Sequence, residues 1–175
     1  MSNKYEVRLS GSGGQGLILA GIILADAGII SGKNAIQSQS YGPEARGGAS
    51  KAEVIISDGE INYPKVEKCD LLLSLTQKSY DEYIDSLKKD GILVVDEKIE
   101  IDETLEAKIY RLPIISTAYD KLKKPMVANI VSLGAICSIS NIIDEESLQE
   151  AILNRIPPGT EEINKKAFQE GLKLV

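Results

Sequence analysis

Ser-Gly-Ser-Gly-Gly-Gln-Gly, residues 10–16, stands between a short alternating run and a long apolar one, and the chain is organised outward from it. Before it, Tyr5, Val7 and Leu9 alternate with Glu6 and Arg8, the signature of a strand. After it, residues 17–30 are apolar nearly all round, which predicts a helix buried on more than one side. Strand, glycine turn and helix give Gly11, Gly13, Gly14 and Gly16 a context. Glycine tolerates close backbone approach, and free N–H groups at a helix start can hold an anion with help from the helix dipole. A dinucleotide fingerprint also needs an acid at the end of the second strand to hold ribose hydroxyls. That strand is expected at residues 34–39, and its end offers Gln39 and Ser40, with Glu44 beyond. The fingerprint is therefore incomplete. Two readings of the glycines stand side by side: a phosphate or cofactor cradle, and a tight turn that lets helix and strand pack closely.

Composition narrows the function. The 175 residues suit one compact domain, 1–175, and 43% apolar with 26% charged residues is an ordinary globular balance. A net charge of −6, with lysines and arginines scattered, offers no basic stripe to follow a phosphate backbone, so nucleic acid is not an expected partner. The apolar run at 17–27 is too short for a bilayer, and residues 1–4 do not lead into a signal peptide. No membrane association and a cytoplasmic location are the expectation. Cys69 and Cys137 are far apart in sequence and histidine is absent, so this chain alone offers neither an iron–sulfur nor an ordinary zinc ligand set, and no His-based triad. Any redox centre must come from another chain.

A second glycine-punctuated stretch follows. Ser-Tyr-Gly-Pro-Glu-Ala-Arg-Gly-Gly, residues 40–48, places Tyr41, Glu44 and Arg46 between two Gly pairs or Gly-Pro breaks, side chains able to stack, accept and donate. As an exposed loop its Glu–Arg pair would add little stability. Its place after a strand, on the edge where the first loop lies, favours a ligand site.

The remaining pattern is α/β. Residues 50–57 predict a strand, with Asp58-Gly59 turning into a short antiparallel partner at 60–63. Residues 70–76 and 92–95 read as buried parallel strands, 78–87 as a helix closed by Asp90-Gly91, and 109–115 as a last strand limited by Pro113. Asp96 and Glu97 suit solvated strand-end acids better than metal or ribose ligands. Residues 116–122 predict a short helix and 127–139 a long apolar one, with Asn129 near its start, free to cap or to bind a neighbouring loop. Helices at 145–152 and from 161 onward complete the chain, the last expected to expose Lys165, Lys166 and Glu170 and to bury Ile163, Ala167 and Leu172. The expected fold is a three-layer αβα domain with a mostly parallel, mixed central sheet.

Arg-Leu-Ser-Gly-Ser-Gly-Gly-Gln-Gly at 8–16, Gln-Ser-Tyr-Gly-Pro-Glu-Ala-Arg-Gly-Gly at 39–48, and the stretches 129–134 and 164–171 together resemble the gamma subunit, or gamma domain, of the 2-oxoacid:ferredoxin oxidoreductases. The Tyr-Gly-Pro-Glu-Ala-Arg-Gly-Gly form and the unfused length look most like the 2-oxoglutarate branch, with the branched-chain and pyruvate enzymes as alternatives. The resemblance implies a complex that decarboxylates a 2-oxoacid on thiamine diphosphate and Mg, passes electrons through iron–sulfur clusters to ferredoxin, and acylates coenzyme A. Those centres would sit on alpha, beta and delta partner subunits. This chain would shape the coenzyme A and substrate region and the subunit interface, through Gly11, Gly13, Gly14, Gln15, Gly16, Ser40, Tyr41, Glu44, Arg46 and Asn129. The motifs assign no catalytic residue in it, and the isolated chain should be inactive. A homodimer, a self-sufficient nucleotide-binding module and a purely structural interface subunit remain open alternatives.

Overall fold

A computed structural model describes residues 3–39 and 49–175. Among these, six strands form one sheet in the order β2-β3-β1-β4-β5-β6. They are β1 (Lys4–Gly11), β2 (Asn34–Gln39), β3 (Ser50–Ser57), β4 (Cys69–Ser74), β5 (Leu87–Asp96) and β6 (Lys108–Leu112). β1, β4, β5 and β6 pair in parallel, while β3 runs against both β1 and β2. The sheet is thus mixed and mostly parallel, as the sequence predicts.

The expected hairpin partner at residues 60–63 does not form. Both edges of β3 are already occupied: Ser57 is opposite Lys4 on one side and Asn34 on the other. A segment arriving later finds no free edge on β3, and it runs over the sheet face instead, where Val66 buries. Tertiary pairing has overridden a local turn signal.

Helices cover the two faces unequally. The larger core sets Val7, Leu9, Leu71, Leu73 and Val94 against α1 (Leu17–Ile30), α4 (Ala128–Ser140), α5 (Glu145–Arg155) and α6 (Glu161–Leu172). The opposite face carries Ile55, Leu72, Leu93 and Val95 under α2 (Gln77–Tyr83), Val66 and Ile99. Leu71 and Leu73 point one way and Leu72 the other, which is why that strand reads as a continuous apolar run.

The alternation in β1 does mark two faces, but its polar side is not solvated. Glu6 and Arg8 are buried, and Arg8 Nη2 sits 3.1 Å from Glu53 Oε1 and donates to the Val66 carbonyl at 2.7 Å. This pairing ties the strap at 58–66 to the sheet. Helix α2 ends sooner than expected, at Tyr83, through a single 3-10 turn, Ile84–Ser86, and β5 begins at Leu87. The short α3 (Ile114–Ser116) follows Pro113 and passes into a π-helical turn, Thr117–Lys121.

Two acids expected in solvent are buried. Asp96 accepts from the Ile115 N–H at 2.9 Å and the Lys98 N–H at 3.2 Å, tethering the start of α3 to the end of β5. Glu170 packs beneath Lys121, with Nζ to Oε2 at 2.5 Å, and so joins α6 to the π-helical turn. In each case a partner distant in sequence gives the carboxylate a reason to be inside.

Candidate functional site

The glycine loop leaves the carboxyl end of β1 where the sheet order reverses: α1 carries the chain towards β2, while β4, β5 and β6 build away on the other side. Open α/β sheets collect ligands at such a switch point. Ser10 closes the floor of the crevice. Its hydroxyl donates to the Leu73 carbonyl at 2.8 Å, and its own carbonyl accepts from the Leu75 N–H at 3.0 Å.

Within the loop, Gly16 takes the α1 N-cap position at φ 73°, a left-handed conformation, and no side chain caps the helix. A Cβ there would lie 2.5 Å from Asn129 Nδ2, so conformation and space both require glycine. The Gln15 side chain folds back over Gly11, with its oxygen accepting from the Ser12 N–H at 2.8 Å. Gly13 has nothing within 4 Å of a virtual Cβ. The loop therefore presents backbone and an uncapped helix start to open space, the geometry that suits an anionic group.

Asn129, in the first turn of α4, is brought to this loop. Its amide donates to the Gly16 carbonyl at 3.1 Å while its oxygen accepts from the Ile130 N–H at 2.9 Å. It is buried, so it braces the loop from behind. Of the expected site residues, Gly11, Gly13, Gly14, Gln15, Gly16 and Asn129 thus form one cluster. Ser40, Tyr41, Glu44 and Arg46 lie outside the described residues. The strands that flank them reach the same edge: Ser50 is opposite Gly11, and Gln39 is opposite Ala52.

A cleft of about 240 Å3 opens beside the loop, lined by Gly14, Gln15, Ile115, Tyr119, Pro125, Met126 and Ala128. Among the described residues its lining contains no carboxylate, amine or thiol. These residues can bind and orient, but none of them is a carboxylate, amine or thiol base. A larger groove of about 550 Å3 lies on the exposed acidic face of α5, and among the described residues no second element lines it. Sequence reasoning missed Tyr119 and Met126, although the run Lys-Leu-Lys-Lys-Pro-Met at 121–126 is a breaker-rich, cationic signal that could have marked them.

Charge elsewhere is structural. Burial pushes the Glu53 carboxyl up, but the hydrogen bond from Lys51, the charges of Arg8 and Lys51, and the Val66 N–H outweigh it and hold the group below its ordinary range. Burial pushes both thiols up to about 11. Cys69 and Cys137 belong to cores on opposite faces of the sheet, an arrangement that does not fit shared cluster ligation. Among the described residues no group of three or more Cys, Asp or Glu could hold a metal ion. Among them, too, no helix is long and apolar enough to cross a membrane.

A family model described as pyruvate ferredoxin/flavodoxin oxidoreductase matches residues 6–174. The chain belongs to this family. It is 49% identical to the 2-oxoglutarate synthase subunit KorC of Methanocaldococcus jannaschii over 98% of this chain and 94% of the relative. With the KorC subunit of Methanothermobacter thermautotrophicus it shares 44% over 98% and 95% respectively. Among solved structures, the gamma subunit of a keto/oxoacid ferredoxin oxidoreductase from Geobacter sulfurreducens superposes with a TM-score of 0.91 at 44% identity, covering 98% of this chain and 96% of that one. The same fold occurs within a longer polypeptide. A 2-oxoglutarate:ferredoxin oxidoreductase from Magnetococcus marinus, solved with 2-oxoglutarate, coenzyme A and succinyl-CoA bound, gives a TM-score of 0.88 at 25% identity over 98% of this chain and 31% of its own. The resemblance to an oxidoreductase gamma subunit of the 2-oxoglutarate type, read from the sequence motifs, is borne out.

Proposed function

We propose that this chain is the gamma subunit, a single domain, of a cytoplasmic coenzyme-A-acylating 2-oxoglutarate:ferredoxin oxidoreductase. The observation that carries the reading is the near-full-length 49% identity to a KorC subunit. The complex converts 2-oxoglutarate and coenzyme A to succinyl-CoA and carbon dioxide, and two electrons pass to ferredoxin. Thiamine diphosphate with Mg supplies the decarboxylation chemistry and iron–sulfur clusters the electron path, both on partner alpha, beta or delta subunits; two buried cysteines on opposite faces make this chain unsuited to hold a cluster.

What remains for this chain is binding and shape. The backbone N–H groups of Gly13, Gly14 and Gly16 and the uncapped start of α1 offer donors to an anionic group of coenzyme A or substrate, while the Gln15 N–H donates to the Ser12 carbonyl within the loop. Asn129 fixes the loop that presents them. Arg46 supplies a forked cation to the same group, with Glu44 orienting it, a role that rests on residue chemistry and family motif.

The test is an anaerobic pull-down of the tagged chain from its native host, with the eluate assayed for ferredoxin reduction by 2-oxoglutarate, pyruvate and branched-chain 2-oxoacids plus coenzyme A. Recovery of cluster-bearing chains with 2-oxoglutarate as the preferred substrate is expected. Preference for another 2-oxoacid overturns the substrate assignment, and an inactive eluate containing this chain alone overturns the complex. In the assembled enzyme Arg46→Ala should raise KM for coenzyme A or 2-oxoacid. Lost assembly with unchanged kinetics in the surviving complex would make Arg46 an interface residue instead.

A further inference from the structure

Between α3 and α4 the backbone is held by its own hydrogen bonds and by buried side chains. Ala118, Leu122 and Val127 are buried beneath it. The Leu122 N–H donates to the Thr117 carbonyl and the Lys124 N–H to the Ala118 carbonyl, each at 2.9 Å, and the Val127 N–H to the Lys124 carbonyl at 3.1 Å. Lys123 sits at φ 54°, a left-handed conformation that a long side chain seldom adopts without a reason.

This fixed frame holds apolar side chains outward. Tyr119 is 60% and Met126 75% exposed, and with Pro125 they border the 240 Å3 cleft beside Gly14 and Gln15. Around them lies positive charge in a chain of net charge −6. Lys121 is satisfied by Glu170, but exposed Lys123 and Lys124 have no ion-pair partner among the described residues, and exposed Asp120 is the segment's one carboxylate. Neither Lys123 nor Lys124 lines the cleft, so their charge rims a broad contact rather than reaching into a small-molecule pocket.

An apolar centre with large, rigidly mounted side chains and a charged rim is the anatomy of a protein interface. We infer that the segment 119–126 docks an acidic stretch of a partner chain, Tyr119 and Met126 gripping its apolar side chains and Lys123 and Lys124 pairing with its carboxylates. This rests on the functional reading above, in which the partner is another chain of the oxidoreductase. Docking there closes one wall of the cleft beside the glycine loop, so assembly completes the site.

The assembled complex, purified anaerobically, is treated with a zero-length carbodiimide, which joins amine to carboxylate only where they touch, and cross-linked peptides are read by mass spectrometry. Lys123 or Lys124 should be joined to an Asp or Glu of an alpha or beta chain. The double substitution Lys123→Glu with Lys124→Glu should weaken assembly about tenfold and flatten its salt dependence. Met126→Ser should weaken it independently of salt. Both variants should match the wild-type melting temperature as isolated chains, since the altered side chains are exposed. An intact complex without such a cross-link, or variants that assemble like wild type, overturns this inference alone. Normal assembly with a raised KM for coenzyme A in the lysine variant also overturns it, in favour of a small anionic ligand. A wild-type chain that recovers no oxidoreductase chain overturns the inference together with the functional reading.

Discussion

Replacing Gly134 by alanine sets two known effects against each other. Helix α4 crosses α6 with the two backbones almost in contact: a Cβ on Gly134 would lie 2.8 Å from both Gly171 Cα and Leu172 N, and closer still to the Phe168 carbonyl oxygen. Alanine in a helix interior gains about 1 kcal/mol of propensity over glycine. Against that, non-bonded carbon atoms want about 3.5–4.0 Å, so the helices must part by roughly 1 Å. Overpacking costs about 1–3 kcal/mol, and the upper end applies here because the obstacle is backbone and cannot rotate away. The net loss is about 2 kcal/mol, which for a chain of this size lowers the melting temperature by about 4–8 °C. Gly171→Ala meets the reciprocal obstacle, the Val131 carbonyl and Gly134 Cα. The double variant should lose less than the two single losses combined, because one methyl has already opened the crossing for the other. Circular-dichroism melts and urea midpoints measure all three. A Gly134→Ala chain as stable as wild type, or more so, would mean that propensity acts unopposed and that the helices do not touch as described.

Two further outcomes follow from the loop and the buried ion cluster. Asn129→Ala should destabilise the isolated chain by about 1–2 kcal/mol, the Gly16 carbonyl keeping only its helical bond from Ala20, and Asn129→Asp should cost more because a carboxylate then faces that carbonyl. Finding the aspartate variant the more stable in thermal melts would sink the hydrogen-bond assignment. Because the Glu53 carboxyl is held below its ordinary value of 4.5 in the folded state, its contribution to stability is full above that value and lost as pH falls through the depressed one. The stability gap between wild type and Glu53→Gln should therefore be widest near neutral pH and narrow under acid. Denaturation series across pH that give a constant gap would refute this.

Much of the site was legible because its signals are local. A strand, a glycine turn and an apolar helix in succession place an uncapped helix start at a strand end whatever the rest of the chain does. Asn129 was noticed for its type and position near a helix start, yet only the fold aims it at Gly16 across 113 residues of sequence. Tyr119 and Met126 escaped notice because nothing local in a cationic, proline-broken run says which of its apolar side chains turn outward. Their exposure goes with Leu122 and Val127 turning inward beside them.

The sequence by itself determined the strand-turn-helix opening, the buried parallel strands, the long apolar α4 and the family, since period, glycine placement and motif are properties of neighbouring residues. Only the tertiary structure decided which strands β3 would join, why Glu6, Arg8, Asp96 and Glu170 are inside, and how closely α4 and α6 approach. Each of these is a competition for an edge, a partner or a contact between segments far apart in the chain, and such a competition has no outcome until the fold brings the competitors together.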